Sequence, residues 1–492
     1  MRKPNLVYIF ADDMGYGDVS CLNPESRIRT EHIDRMAAEG LRCTDAHSSS
    51  AVCTPSRYSV LTGRYNWRSV LKKGVTGGYS QPVLEKDRMT VASMLKDQGY
   101  RTACIGKWHL GLEWQLKDGG IASTYQDADA VDFSAPIKGG PCDHGFDTFF
   151  GISASLDMPP YVYIENDHAT SVPTRRLEKH SGKTFMRRGP IADDFEPETV
   201  LDTLSDRVTD TIRAYAENDD PFFIYFPLPA PHTPIYPGKK FQGKSGTNEY
   251  GDFCLHVDDV VGRVTQALRD HGLEDDTIVV FTSDNGCSPM ADFDELAEVG
   301  HKPSYVFRGM KSDIFEGGHR IPFVVRWPAG IPAGSVSDQT FCLTDLTATM
   351  AEITGYRLPD HAAEDSVSNV PIWDGTAEEP VREAVVHHSI NGSFSIRKGK
   401  WKLEMCADSG GWSFPQCGHA EESEGLPPIQ LYDLSVDIGE RENVQDRYPE
   451  VVDALRALLT KYIVDGRSTP GEPQPNTGGA HWEQLWWISP DV

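Results

Sequence analysis

The stretch Cys53-Thr54-Pro55-Ser56-Arg57 brings a thiol, two hydroxyls and a guanidinium close together in the chain. Pro55 is typical of the first turn of a helix, and Tyr58 to Leu61 would give that helix a buried side. A thiol at a helix start lies at the positive end of the backbone dipoles, which favours an anionic group. On residue types alone, Cys53 is compatible with a reactive centre and equally with a small buried side chain.

Two apolar runs end in pairs of oxygen-bearing side chains. Residues 6–10 are followed by Asp12 and Asp13, and a later run is followed by Asp284 and Asn285. Such runs predict buried strands of a parallel sheet, and ligands gather at the carboxyl ends of these strands. Four oxygen ligands without a histidine favour a hard cation, calcium before magnesium and well before zinc. A solvated turn is the alternative for each pair taken alone.

Basic side chains follow other predicted strands. Lys107 and His109 stand two residues apart after the run at 101–105, so an extended segment would project both to the same side. His232 lies among prolines that fix its backbone, which suits a positioned acid or base, although a rigid surface turn is the alternative. Lys311 precedes a Gly-rich turn and a further strand.

Alternating strands and helices must position these residues. Apolar runs such as 222–226 and 277–281 predict strands, and the amphipathic stretches between them predict helices, which indicates an α/β fold. After about residue 375 the pattern changes, because residues 393–403 alternate like antiparallel strands around a Gly turn. We therefore expect a catalytic domain over residues 1–378 and a smaller α+β subdomain over residues 379–492, with a small antiparallel sheet and a helix.

The Cys-x-Pro-Ser-Arg pattern, with the strand-end residues, resembles the signature of the formylglycine-dependent type I sulfatases. In that family the cysteine is oxidised to an aldehyde after translation. The resemblance runs over nearly the whole chain. It implies the fold of the alkaline phosphatase superfamily, a mixed sheet sandwiched by helices, and a formylglycine-generating maturation enzyme as a partner.

The resemblance also implies a metal site. Asp12, Asp13, Asp284 and Asn285 would bind one Ca²⁺ together with Cys53 in its modified form, 3-oxoalanine.

Catalytic roles follow from the same resemblance. Arg57 would hold the hydrated aldehyde, and one of its hydroxyls would attack sulfur. His109 would then act on the covalent intermediate, so that the aldehyde re-forms and sulfate leaves.

The remaining implied positions surround the sulfate group and the leaving oxygen. Lys107 and Lys311 would hold sulfate oxygens, and His232 would lie beside the leaving oxygen. The family pattern includes a serine before an Asp-Met pair, which Ser155 matches better than Ser153.

Residues 151–161, with 301–320, look like bacterial relatives of arylsulfatase A and N-acetylgalactosamine-6-sulfatase. This suggests exo-acting removal of 6-O-sulfate from galactose or N-acetylgalactosamine in a sulfated mono- or oligosaccharide. His301, Arg175 and Arg176 are candidate substrate-binding residues. The two arginines belong to a basic segment over residues 174–188, for which a solvated loop is the alternative.

Three other functions stay open. A phosphoester or phosphonate monoester hydrolase of the same superfamily would share most of the residues. A sulfatase for another sulfated sugar position would share all of them. A catalytically silent glycan-binding protein would keep the fold, but an intact set of catalytic residues speaks against it.

The charge of the chain narrows the partners. The formal net charge is −26, which argues against nucleic acid and against an anionic membrane. The sequence has no apolar run of about 18 residues, so we expect no membrane span. The N-terminal segment is too short for a signal peptide, which indicates a cytoplasmic protein, or a periplasmic or secreted one if a leader was removed.

Cysteine spacing argues against a structural zinc site, because the ten cysteines form no Cys-x-x-Cys pair. Cys406 and Cys417 are close enough in sequence to suggest a disulfide.

Overall fold

One mixed sheet of ten strands organises the chain, in a computed structural model that describes residues 3–479 and 481–489. Residues 1 and 2 of the N-terminal segment lie outside the described residues. The strands of the described residues, ten of which form this sheet, are β1 (Asn5–Ala11), β2 (Leu41–Cys43), β3 (Ala46–His47), β4 (Arg101–Lys107), β5 (Thr148–Ile152), β6 (Ile164–Glu165), β7 (His168–Ala169), β8 (Arg175–Leu177), β9 (Gly189–Ile191), β10 (Phe222–Pro227), β11 (Thr277–Ser283), β12 (Phe323–Arg326), β13 (Ser335–Ser337), β14 (Phe341–Cys342), β15 (Val385–His388), β16 (Phe394–Lys398), β17 (Trp401–Glu404) and β18 (Gln430–Asp433).

Two groups of helices, α1 with α4 and α5, and α2 with α3 and α8, flank this sheet. The helices are α1 (Glu31–Ala38), α2 (Cys53–Thr62), α3 (Val91–Asp97), α4 (Val200–Tyr215), α5 (Glu249–Asp270), α6 (Phe293–Glu298), α7 (Glu316–His319), α8 (Leu346–Thr354), α9 (Val370–Trp373), α10 (Ala420–Ser423) and α11 (Pro449–Val464). None of the helices in the described part of the chain has both the length and the apolar character to cross a bilayer.

Strand β1 lies inside the sheet, and every one of its residues is buried. It pairs in parallel with β10 on one side and β11 on the other, in the strand order β13-β2-β12-β11-β1-β10-β4-β5-β6-β7. A strand covered on both faces requires a continuous apolar run, which is what its sequence shows. The predicted α/β sheet flanked by helices is therefore confirmed.

The C-terminal region forms a second, antiparallel sheet in the order β15-β16-β17-β18. Gly399, with φ of 56°, makes the tight turn between β16 and β17. The sheet packs against α11 around a separate hydrophobic core that includes Phe394, Leu403 and Leu459. The predicted small sheet and helix are confirmed, whereas the boundary at residue 378 stays a prediction.

Backbone hydrogen bonds tie this second sheet to the segment before Cys53. The amide of Ala51 and the hydroxyl of Ser50 both donate to the carbonyl of His388, each at 2.9 Å. The amide of Ser312 donates to the carbonyl of Ala51 at 2.8 Å, and that of Ile390 to Ser312 at 3.0 Å. The start of α2 is thus held from two sides.

The suggested disulfide between Cys406 and Cys417 is wrong, because both cysteines are free thiols. Instead, the Asn391 side-chain amide donates to the sulfur of Cys417 at 2.7 Å. The Cys406 sulfur contacts the carbonyl oxygen of Asp408 at 3.3 Å. Proximity in sequence did not bring the two sulfurs together.

Candidate active site

Four adjacent parallel strands, β11, β1, β10 and β4, bring the candidate residues to one edge of the sheet. Asp12 and Asp13 follow β1, Asp284 follows β11, and Lys107 is the last residue of β4. The loop after β10 carries His232 and is held to β1 by a backbone hydrogen bond from Asp12 to Ala230 at 2.9 Å. This is the edge at which open α/β sheets place their ligands.

Cys53 is the first residue of α2, as its sequence predicts, and is 2% exposed. Burial raises the pKa of its thiol to about 12, despite the positive charges of Lys107 and Lys311 nearby. Desolvation therefore outweighs the expected influence of the helix start. At neutral pH the unmodified thiol is protonated, and so it is a poor nucleophile and a poor metal ligand.

Arg57 lies one helical turn after Cys53 and connects two strand ends. Its guanidinium contacts Asp284 Oδ2 at 2.7 Å and Asp12 Oδ1 at 3.4 Å, and it lies over the ring of Phe10. The side chain is fully buried. A planar guanidinium presents its donors to the two carboxylates in a rigid fork, which a lysine ammonium does not have.

Two lysines neutralise the aspartates that follow β1. Lys107 Nζ lies 2.6 Å from Asp12 Oδ2, and Lys311 Nζ lies 2.7 Å from Asp13 Oδ2. The side-chain amide of Asn285 donates to Asp13 Oδ1 at 2.7 Å. The predicted cluster of oxygen-bearing and basic side chains is thus assembled from segments that are distant in sequence.

The site leaves oxygen atoms that suit a cation. Asp12 Oδ1 and Asn285 Oδ1 are buried and have no hydrogen-bond partner among the described residues. Single ligand atoms of Asp12, Asp13, Cys53 and His232 lie within 4.8 Å of one another. Burial and the charge of Asp12 raise the pKa of Asp284 to about 7, which is the effect of crowded carboxylates.

His109 is oriented to accept a proton. Its Nε2 donates to the carbonyl of Thr76 at 2.8 Å, which leaves Nδ1 buried and without a partner among the described residues. Burial, together with the positive charges of Lys107 and Arg57, lowers the pKa of His109 well below its usual value. A neutral imidazole with a free nitrogen can act as a base. Its backbone is held at φ of 57°, an uncommon conformation that clusters at functional sites.

His232 lies in the loop that follows β10. Its Nδ1 donates to the carbonyl of Thr233 at 2.7 Å, and its Nε2 lies 3.6 Å from Asp13 Oδ2. Ser155 is buried with a hydroxyl that has no partner among the described residues. The hydroxyl of Ser153 is likewise buried without a partner among the described residues, and the carbonyl of Ser153 accepts the backbone amide of His109 at 3.0 Å.

Asp157 is a site residue that the sequence analysis missed. It is 3% exposed, and its Oδ1 lies 3.9 Å from His232 Nδ1. Its other oxygen pairs with Arg187, a member of the basic segment. The signal was its position two residues after Ser155, in the stretch that carries the serine.

The other substrate-binding candidates lie apart from these residues. Arg175 pairs with Asp193 at 3.0 Å, and Arg176 pairs with Asp129, all of them exposed carboxylates and guanidinia. His301 is buried. Its Nε2 lies 2.8 Å from Asp18 Oδ1 and its Nδ1 accepts the amide of Arg27, so neither nitrogen is left for a sugar.

The site combines converging side-chain oxygens, buried lysine and arginine side chains, and a cysteine at the start of a helix. This combination is that of a metal-dependent hydrolase for anionic esters. A family model described as Sulfatase matches residues 4–356. The chain belongs to the sulfatase family, and it is a sulfuric ester hydrolase of the alkaline phosphatase-like fold. The family uses a metal ion and a formylglycine.

The chain is similar over almost its full length to named sulfatases. It is 34% identical to an N-acetylgalactosamine-6-O-sulfatase of Bacteroides thetaiotaomicron, covering 93% of both proteins. It is 32% identical to human arylsulfatase A, covering 97% of this chain and 91% of that protein. A solved sulfatase structure from a study of glycosaminoglycan metabolism by Bacteroides thetaiotaomicron superposes with a TM-score of 0.81 at 32% identity, covering 94% of this chain and 99% of that one.

We predict that Arg57→Lys lowers kcat on an aryl sulfate by about 10²–10³-fold, because a lysine loses the fork that contacts Asp12 and Asp284. Rates are normalised to the fraction of chains in which Cys53 is converted, measured by peptide mass spectrometry. Arg64→Lys is the matched control, since Arg64 is also fully buried and pairs with Glu85 at 3.0 Å. Equal losses of kcat in the two variants would contradict a specific role for Arg57.

Proposed function

We propose that this sulfatase removes the 6-O-sulfate from a terminal galactose or N-acetylgalactosamine of a sulfated glycan. The observation that carries the proposal is the 34% identity to the N-acetylgalactosamine-6-O-sulfatase across 93% of both chains. Sugar preference depends on residues around the whole pocket, so similarity along the full length supports it better than the catalytic motif alone.

Exo action is supported by the depth of the site. Cys53, Lys311 and His232 are 2%, 6% and 7% exposed, so a reacting sulfate has to enter a recess. A chain end can enter such a recess more readily than the middle of a polymer. The net charge of −26 adds long-range repulsion towards a polyanion, which fades over about 8 Å at physiological salt.

Arg175 and Arg176 are proposed as outer contacts for a charged neighbouring sugar. Both guanidinia are exposed, and their present partners Asp193 and Asp129 are exposed as well. Surface pairs of this kind are weak, so an anionic sugar could compete for the arginines.

We propose the following roles around the sulfate group. The aldehyde made from Cys53 would supply, as its hydrate, the oxygen nucleophile for sulfur. Arg57 positions that nucleophile, and Lys107 and Lys311 offset the negative charge of the sulfate oxygens. Their fixed positive charges act in a buried site, where they stabilise a developing charge without rearrangement.

Two histidines and a serine complete the proposed set. His232 donates a proton to the leaving alcohol, and the carbonyl of Thr233, which accepts from its Nδ1, orients the ring. His109 accepts a proton through its free Nδ1, fixed in that tautomer by Thr76. Ser155 contributes its unpaired hydroxyl as a further hydrogen-bond donor.

A maturation enzyme is proposed as a partner because Cys53 is 2% exposed in the first turn of α2. An enzyme that acts on this side chain needs an extended segment around it. Conversion would therefore precede the packing of α2.

Calcium is the proposed ion. Its ligands would be Asp12, Asp13, Asp284 and Asn285 with the modified residue 53, an oxygen-rich set that suits a hard cation. Asp12 Oδ1 and Asn285 Oδ1, which accept no hydrogen bond among the described residues, support this assignment.

Cys53 is predicted to be essential after conversion. Intact-mass analysis should show a loss of about 18 Da, the change from thiol to aldehyde, and kcat should scale with the converted fraction. Cys53→Ala should have no activity, whereas the control Cys43→Ala, in buried strand β2, should keep it. Full activity from a preparation with unmodified Cys53 would exclude the proposed nucleophile.

Calcium removal is predicted to abolish turnover. After chelation, Ca²⁺ should restore the rate, Mg²⁺ should restore less, and Zn²⁺ should not, because the oxygen ligands favour a hard and larger ion. Asn285→Ala should weaken Ca²⁺ binding, measured by titration calorimetry, whereas Asp294→Asn, at an exposed carboxylate, should not. Selective restoration by Zn²⁺ would refute calcium.

A panel of sulfated sugars tests the proposed substrate. We predict that kcat/KM for galactose 6-sulfate or N-acetylgalactosamine 6-sulfate exceeds that for the 4-sulfate and for N-acetylglucosamine 6-sulfate by at least about tenfold. Sulfate at the non-reducing end of an oligosaccharide should be released before internal sulfate.

The same panel separates the alternatives. Preference for the 4-sulfate or the gluco sugar would point to another sulfated position. A matched aryl phosphate or phosphonate that reacts faster than the aryl sulfate would favour the phosphoester hydrolase.

A further inference from the structure

Three buried histidines outside the active site meet where β3, α7 and the C-terminal sheet come together. His47 belongs to β3, His319 ends α7, and His387 belongs to β15, and each is fully buried. Their ring centroids are 5.2 Å apart for His47 and His319, 4.8 Å for His47 and His387, and 3.7 Å for His319 and His387. One nitrogen of each ring lies within 4.8 Å of the other two.

The outer nitrogen of each ring contacts an oxygen atom. His47 Nε2 lies 2.8 Å from a carboxylate oxygen of Asp45. His319 Nε2 lies 3.0 Å from the carbonyl oxygen of Ile314. His387 Nδ1 lies 3.1 Å from the hydroxyl of Ser395. Metal-ligating histidines are held in this way, by a second-nitrogen contact to a carboxylate, carbonyl or hydroxyl that fixes the tautomer.

The inner nitrogens then face one another. His47 Nδ1 and His319 Nδ1 are 3.0 Å apart, and His387 Nε2 is buried with no hydrogen-bond partner among the described residues. Two nitrogens bound to one tetrahedral ion at about 2.0–2.1 Å would lie about 3.3 Å apart. A direct hydrogen bond between His47 and His319 satisfies two rings but leaves His387 unsatisfied, which is costly in a buried place.

Lys402 contacts the cluster from its outer side. Its ammonium lies 3.1 Å from His319 Nε2, donates to the carbonyl of Ile314 at 2.9 Å, and pairs with Glu440 at 2.6 Å and Glu316 at 3.3 Å. The positive charge is therefore balanced by these two carboxylates.

Two arginines also lie on the outer side. Arg320 and Arg397 contact His47 at Nε2, and both pair with Asp45. Burial lowers the pKa of His47, His319 and His387. This favours the neutral imidazole, which is the form that binds a metal ion.

We propose that His47, His319 and His387 bind one first-row transition-metal ion, Zn²⁺ foremost, where β3 and α7 meet the C-terminal sheet. An all-imidazole set suits zinc, copper or nickel and does not suit calcium or magnesium. This site is thus chemically distinct from the oxygen-rich cluster of the active site.

The position of this ion gives it a structural role. His387 is followed by His388, whose carbonyl accepts hydrogen bonds from Ser50 and Ala51, just before Cys53. His47 lies on the strand that leads into the same segment. The ion joins β3, α7 and β15, and so it fixes the C-terminal sheet against the turn that begins α2.

The test uses the full chain, expressed with added Zn²⁺ and then dialysed against a chelator followed by excess Ca²⁺. Mass spectrometry of the metals should find about one zinc per chain in the wild type and in Asp284→Asn, whose altered residue is in the oxygen-rich cluster. The zinc content per chain of His387→Gln should be at least tenfold lower than that of the wild type. His388→Gln should keep it, because adjacent strand residues face opposite sides and both histidines are buried.

A second measurement does not depend on the folding of a variant. Wild-type protein produced in cobalt medium should show visible d–d absorption, and X-ray absorption should show imidazole nitrogens at about 2.0 Å from the metal. A folded, active wild type that contains no transition ion would overturn the proposal. Equal zinc in His387→Gln and His388→Gln would overturn it too, as would zinc that disappears in Asp284→Asn.

Discussion

The structure depends on holding like charges close together in a buried place. Asp12, Asp13 and Asp284 meet at the ends of β1 and β11, where each is at most 1% exposed. Buried carboxylates at this separation repel one another unless opposite charges stand close by. Arg57 and Lys107 supply part of that compensation, and the sheet, α2 and the loops must hold them within about 3 Å of the carboxylates. The fold holds these groups so that their charges balance. The same buried positive charges suit the site to an anionic ester.

Much of the fold and site could be predicted because strand period and chain order encode them. A continuous apolar run followed by Asp12 and Asp13 predicts both a buried strand and a pair of carboxylates at its end. Parallel pairing then brings distant strand ends together without further information. The positions of Asp157 beside His232 and of Thr76 beside His109 were not predicted, since these contacts arise only when separate loops pack. The proposed Cys406–Cys417 bond failed for the related reason that nearness in sequence says little about direction in space.

The C-terminal sheet contributes to the site through the backbone. Its carbonyl at His388 accepts the hydrogen bonds of Ser50 and Ala51, and Ser312 beside Lys311 is bonded to the same segment. The C-terminal hydrophobic core also includes residues of the catalytic region, because Tyr65 and Trp67 pack into it. A substitution in the catalytic region or in the C-terminal sheet would therefore shift the residues that begin α2.

The burial of Cys53 separates correct folding from competence. Its thiol is neutral and packed, and burial raises its pKa to about 12, so an unconverted chain has no uncompensated charge that would unfold it. Quality control that inspects only exposed apolar surface would treat converted and unconverted molecules alike. A cell or a production strain can thus accumulate well-folded but silent protein. Specific activity in such a pool reports the history of the chain during synthesis, while spectroscopic signs of folding report nothing about it.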